Sequence, residues 1–252
     1  MNKDTLRQIL VVLAVVATIV MNFLANLIPL NGQNTGEISD RFKVFFVPAG
    51  YVFSIWGLIY IGLAAYAIYQ ALLAHKEEPS LRAIGWPFLI ASAANIIWLF
   101  FWHYNLFPLS EVAMLTLLAS LIMIYLRLGI GVRQVSTGMR WAVHVPFSIY
   151  LGWISVATIA NTTDLLYYWN WNGFGISPQI WAVIMLAVAV ILGLLMALRR
   201  HDVAFLAVLL WAFIGIAVKQ AAFPTVANAA WVASVLVAVE IILAIWLGRR
   251  KK

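Results

Sequence analysis

The chain has 252 residues, of which 65% are hydrophobic and only 10% charged, with a formal charge of +7 at pH 7. Soluble globular chains run near half apolar and a quarter charged, so an ordinary soluble domain is excluded. The absence of cysteine excludes a disulfide scaffold, a cysteine-ligated zinc or iron–sulfur centre, and a cysteine nucleophile.

Apolar stretches of about twenty residues recur along the chain, each long enough to cross a bilayer as a helix. In chain order the expected spans lie near 7–30, 50–74, 85–105, 109–130, 141–162, 178–198, 203–221 and 226–248. The first follows Lys3 and Arg7, as a signal peptide would. Its run from Ile9 to Leu30 is longer than a signal core and no small-x-small cleavage site follows, so an uncleaved helix is expected. The shortest breaks carry helix stops: Pro108 between the third and fourth spans, and Arg199, Arg200 and His201 between the sixth and seventh. No Gly/Ser-rich linker and no fixed-period repeat divides the chain, so residues 1–252 read as a single all-α membrane domain, a polytopic helical bundle.

Eight spans sort the sixteen Lys and Arg unevenly. Arg41, Lys43 and Lys219 fall on one side, and the other thirteen, from Lys3 to Lys252, fall on the opposite side. The positive-inside rule then places both termini in the cytoplasm, in a plasma (inner) membrane protein. The basic balance is thereby a signal of topology, and no nucleic-acid partner is expected.

Polar and aromatic residues gather in the outer halves of three spans. In the second, Phe53, Trp56 and Tyr60 follow i, i+3 and i+7 and share one face. In the third, Asn95 and Trp98 are neighbours across a turn. In the fifth, Tyr150, Trp153, Ala157 and Asn161 form one stripe. Such residues serve helix–helix packing in lipid. If the stripes converge, they also form an aromatic cavity with a few polar points, the usual make-up of a small-molecule pocket. Two outward loops are long, Asn31 to Val47 and Thr162 to Gln179. The second holds Tyr167, Tyr168, Trp169, Trp171 and Phe174, which suit either an interfacial belt or a lid over a cavity mouth.

The run Phe46-Val-Pro48-Ala-Gly50-Tyr51-Val-Phe53-Ser-Ile-Trp56-Gly-Leu-Ile-Tyr60 resembles the second-helix signature of the TspO/MBR family, the tryptophan-rich sensory or translocator proteins. Asn95-x-x-Trp98 followed by Phe100 and Phe101 is similar to that family's third helix. Tyr150-x-x-Trp153-x-x-x-Ala157-Thr158-x-x-Asn161 is similar to its fifth. The resemblance covers about residues 7–165. Tyr51 stands where the family has Trp, and Ile149 where it has Pro. The resemblance implies a five-helix core over 1–165, with a three-helix extension over 166–252. It also implies a pocket for a porphyrin, haem-like tetrapyrrole or sterol, lined by Trp153 and Ala157, with Tyr51, Phe53, Asn95 and Trp98 contributing and the loop Asn31 to Val47 covering the site.

Glu240 is the one acid placed well inside a span. A carboxylate at such depth suits proton relay or cation coordination, or, as a hydrogen-bonded group, a lock holding the extra helices to the bundle. Lys219 is expected to snorkel to the outer interface. His103 and His144 lie near span ends without partners at metal-ligand spacing. No phosphate loop, nucleophile–base set or paired carboxylates appear, so no enzyme activity is expected.

The leading expectation is a membrane receptor or binding protein holding a tetrapyrrole or other apolar ligand, with no required cofactor. Its site would comprise Tyr51, Phe53, Trp56, Asn95, Trp98, Tyr150, Trp153, Ala157 and Asn161. The alternatives are a small-molecule transporter using the extra helices and Glu240, and a tetrapyrrole-degrading enzyme. Membrane lipids and the apolar ligand are the expected partners, and a homodimer is left open.

Overall fold

The computed structural model describes residues 2–28 and 30–250. Lys251 and Lys252, part of the basic count, lie outside the described residues. Eight long helices follow in chain order: α1 (Lys3–Leu27), α2 (Ile55–Ala71), α3 (Pro79–His103), α4 (Phe107–Leu128), α5 (Val145–Tyr168), α6 (Pro178–Arg200), α7 (Val203–Lys219) and α8 (Pro224–Arg250). Seven helical segments are long and apolar enough to cross a membrane. The chain is a polytopic membrane helical bundle. Helix α7, with 17 residues, is about 25 Å long. Its face Phe205, Leu206, Leu209, Ala212, Phe213 and Ile216 is at most 1% exposed, so neighbouring helices cover much of it, and it need not match the full hydrocarbon thickness.

Local chemistry sets the helix ends. Asn2 caps α1 by accepting from the Asp4 amide at 3.0 Å. Ser177 caps α6, with Pro178 at its first position. Asp202 caps α7, and Gly129 ends α4 in the left-handed conformation, φ +64°. Before α5 the chain makes a π-turn over Arg140–His144, in which the Val145 amide bonds the Arg140 carbonyl. Pro146 has no amide to offer the Ala142 carbonyl, and the local i→i+5 turn accommodates that loss.

Helices α1 to α5 form one bundle. Helix α1 packs on α2 and α3, α3 on α4, and α5 on both α4 and α2. Helices α6, α7 and α8 form a second group in which α8 packs on α6 and α7, while α7 packs on α5. The α5–α7 seam is close because Gly152 has no side chain: a Cβ there would sit 3.1 Å from Val208 Cβ and 3.3 Å from the Phe205 carbonyl. Outward faces are apolar, with Leu13 and Phe23 on α1, Ile61 and Ile68 on α2, and Val235 and Ile242 on α8 all exposed. In a membrane these faces meet lipid.

One end of the bundle is tied by basic residues. Arg82 grips Asp4 through two bonds of 2.8 and 2.6 Å. Arg7 donates to the Lys76 carbonyl at 2.8 Å, and Arg127 to that of Ala83 at 2.6 Å. At the other end Lys219 pairs with Asp40 at 2.7 Å, and Gln220 donates to the Phe45 carbonyl at 3.1 Å. Lys219 thus has a definite partner across 179 residues of sequence and ties the α7 end to the first long loop.

Candidate functional site

The first long loop is folded rather than slack. It contains a short helix, Thr35–Asp40, closed by a capping box in which Asn34 and Glu37 exchange bonds of 2.9 Å. Trp102 donates to the Thr35 carbonyl at 3.3 Å, and Asn31 to the His103 carbonyl at 3.0 Å, so α3 holds the loop down over the bundle. His103, placed by sequence near a span end, is fully buried: its Nδ1 lies 2.7 Å from the Leu99 carbonyl and its Nε2 3.4 Å from Thr35 Oγ1. Beyond Pro48 the chain winds through a 3-10 turn, Gly50–Ser54, before α2 begins.

Beneath this loop the aromatic stripes of α2, α3 and α5 meet. Phe53 packs edge-on against Trp153, with ring centroids 5.6 Å apart. Trp56 stacks on Tyr60 at 5.7 Å and meets Tyr150 and Trp153 at 6.1 and 6.3 Å. Trp98 stacks on Trp102 at 5.7 Å. Between these rings lies a cavity of about 50 Å³, bordered also by Ala157, Asn161 and Asp164. Of the residues selected by sequence, Phe53, Trp56, Trp98, Trp153, Ala157 and Asn161 border it.

The remaining selected residues fall elsewhere. Asn95, fully buried, accepts from Asn22 at 2.7 Å and donates to the Tyr150 hydroxyl at 3.1 Å, so these two support the wall from behind. Tyr51 is 46% exposed and packs edge-on against Trp211 of α7 at 5.3 Å. The 3-10 turn aims it at the extension, away from the rings that Phe53 joins. Glu240 sits on α8 against Gly193 of α6, where a Cβ would overlap its carboxylate. It is 6% exposed, and its Oε2 has no hydrogen-bond partner among the described residues.

Polar groups that the sequence reading did not single out complete the site. Trp98 Nε1 donates to Asn161 Oδ1 at 2.9 Å, and Asn161 Nδ2 donates to Glu111 Oε2 at 2.5 Å. Thr162 donates to the other Glu111 oxygen at 2.7 Å. This chain fixes the Trp98 ring and satisfies both oxygens of a carboxylate that is 8% exposed. Asp164 is 1% exposed and makes no hydrogen bond among the described residues; its Oδ1 is fully covered. Trp153 Nε1 is likewise buried without a partner. The cavity wall therefore carries one unmet donor and one unmet acceptor.

Helix α5 separates this cavity from a larger one. Its Ala157, Asn161 and Asp164 face the rings, while Thr158, Ile159, Thr162 and Leu166 face a space of about 310 Å³ next to α6. Tyr167 and Trp171 of the aromatic segment line that second space, together with Trp181 and Lys43. Trp181 donates to the Gly173 carbonyl at 2.9 Å and lies tilted against Trp171, with ring centroids 5.2 Å apart. Tyr167 and Trp171 edge a cavity while remaining partly open to the surroundings, as are Tyr168, Trp169 and Phe174. The loop itself is shorter than the sequence suggests, because α5 runs on to Tyr168.

Fold and site together define a polytopic helical membrane protein with an aromatic cavity between its helices, covered by an ordered loop. The chain belongs to the family described as TSPO-like protein, whose sequence model matches residues 8–243. That match reaches into α8, so it takes in α6 and α7 as well as the first five helices. No curated protein and no solved structure matches the chain.

Proposed function

We propose that this protein is a membrane receptor that binds an apolar, ring-bearing small molecule, of which a tetrapyrrole is the leading example, in the cavity between α2, α3 and α5. The observation that carries the reading is the meeting of three aromatic stripes around an unpartnered indole N–H and an unpartnered carboxylate. Buried polar groups without partners are costly, and a ligand that supplies both partners would remove that cost. Binding without turnover and without a resident cofactor is part of this reading. The thirteen-to-three distribution of basic residues supports cytoplasmic termini in a plasma membrane. Transport through the extension is less favoured, because Glu240 packs against Gly193 of α6 rather than along either cavity.

Size decides what must move. Small-molecule sites occupy about 300–1,000 Å³, whereas the space between the rings is about 50 Å³. A macrocycle therefore requires the loop helix Thr35–Asp40 to lift and the rings to part. Titration of the purified protein with protoporphyrin, followed by tryptophan quenching, is expected to saturate. Trp153→Ala is expected to weaken binding at least ~10-fold, on the scale of losing an aromatic anchor. Non-saturating quenching, or identical curves for both proteins, would sink the reading. Equal loss in Ala182→Trp, which fills the larger space beside α6, would move the site there.

A further inference from the structure

We propose that the aromatic cavity recognises an organic cation, an ammonium-type head group, with Asp164 as its counter-charge. This rests on the reading of that cavity as the ligand site and names a ligand class distinct from the tetrapyrrole, which carries no ammonium group. Three observations combine.

First, Asp164 borders the cavity, is 1% exposed and accepts no hydrogen bond among the described residues. An isolated buried carboxylate is expensive unless paired. Second, the nearby charges do not pair it. Lys219, Asp40 and Glu111 lie within its electrostatic reach, but Lys219 is bonded to Asp40 at 2.7 Å. Glu111 is an acid already satisfied by Asn161 and Thr162. Asp164 is therefore left without a counter-charge inside the protein, and a ligand cation would supply the one that Lys219 does not. Third, five aromatic side chains border the same space, Phe53, Trp56, Trp98, Trp102 and Trp153, among mostly small and aliphatic residues. Tryptophan faces attract cations, and aromatic boxes around alkylammonium groups are the functional form of that attraction.

The space of about 50 Å³ is nearer in size to a head group than to a macrocycle; a methylated ammonium requires the rings to part slightly, while the body of the ligand extends toward the loop. Trp153 Nε1, the unmet donor, would take an acceptor atom carried beside the cation.

The test compares benzyltrimethylammonium with its uncharged isostere neopentylbenzene, at equal micellar mole fraction in a non-ionic detergent, by tryptophan quenching. Wild-type protein is expected to bind the cation at least tenfold tighter than the isostere. Asp164→Asn is expected to lose that preference while holding the isostere within twofold. Equal affinity of the wild type for both probes would overturn the cation assignment and leave the cavity as a site for neutral apolar ligands. Saturable binding of neither probe would overturn the cation assignment, whereas the protoporphyrin titration separately decides whether the cavity is a ligand site. The wild-type comparison decides the matter even if Asp164→Asn fails to fold.

Discussion

Asp202→Ala is expected to cost about 3 kcal/mol of stability, the largest single loss proposed for this chain. The carboxylate of Asp202 is 6% exposed and joins three helices. Its Oδ2 accepts from Tyr125 of α4 and from Ser148 of α5, each at 2.7 Å. Its Oδ1 accepts from the Phe205 amide at 3.1 Å and so caps α7. Hydrogen bonds to a charged group contribute about 1.5–3 kcal/mol each in water, and less in a bilayer, where unfolded helices find other partners. Alanine removes all three bonds, uncaps α7 and leaves the Tyr125 and Ser148 hydroxyls buried without acceptors. Asparagine keeps the cap through its one carbonyl oxygen and turns an NH2 donor toward the Tyr125 and Ser148 hydroxyl oxygens, so Asp202→Asn is expected to cost less, about 1–2 kcal/mol. Retention of the monodisperse peak after graded heating, read by size-exclusion chromatography, measures both. Equal midpoints for wild type and Asp202→Ala would show that α7 is held by its apolar face alone.

Gly215→Val is the second large effect, expected at about 2–3 kcal/mol from overpacking. A Cβ at Gly215 of α7 would overlap Val52 and lie 3.1 Å from Pro48 Cβ. The same approach lets the Ala49 amide bond the Gly215 carbonyl at 3.1 Å, and Trp211 donates to the Val52 carbonyl at 3.1 Å. This backbone contact seats the turn from which Phe53 and Trp56 reach the cavity. The substitution should therefore shift tryptophan emission as well as lower thermal stability. Destabilisation without any spectral change would mean that the cavity rings are positioned independently of α7.

Hydropathy made the eight helices legible, because each span is an apolar run with a proline, glycine or basic residue at its end. The meeting of Phe53, Trp56, Trp98 and Trp153 was legible from helical spacing, since those stripes fix which face of each helix turns inward. The end of α5 was not. The polar run Asn161-Thr162-Thr163-Asp164 reads as the start of a loop, so the fifth span stops at 162 in the sequence reading. In the structure the Thr163 hydroxyl bonds back to the Ile159 carbonyl at 2.7 Å, and the single Thr162 hydroxyl proton is shared between Glu111 and the Thr158 carbonyl, 2.8 Å away. The helix thereby carries its polar residues without exposing them, continues to Tyr168, and places Asp164 on the cavity wall one turn beyond Asn161. The same foreshortening hid Asp164 as a site residue.

Tyr51 entered through the family resemblance rather than through helical spacing, and the 3-10 turn Gly50–Ser54 places it against Trp211. Asp202 carried a readable signal, an Asp directly before an apolar run, but its bonds to Tyr125 and Ser148 depend on the packing of α4 and α5 and have no trace in sequence. Glu240 was visible as a buried acid. Its neighbour Gly193, which makes room for the carboxylate, was not.

The central claim is that the ring-lined space between α2, α3 and α5 is where ligand binds, and the absence of native cysteine makes it directly testable. Ala157→Cys places one thiol on that wall, and Ala182→Cys places one in the larger space beside α6. Labelling by a membrane-permeant maleimide should slow at least ~10-fold at Ala157→Cys under saturating protoporphyrin, on the scale of burying a pocket residue under a bound ligand. Labelling at Ala182→Cys should be unchanged. Protection at Ala182→Cys, with none at Ala157→Cys, would contradict the account.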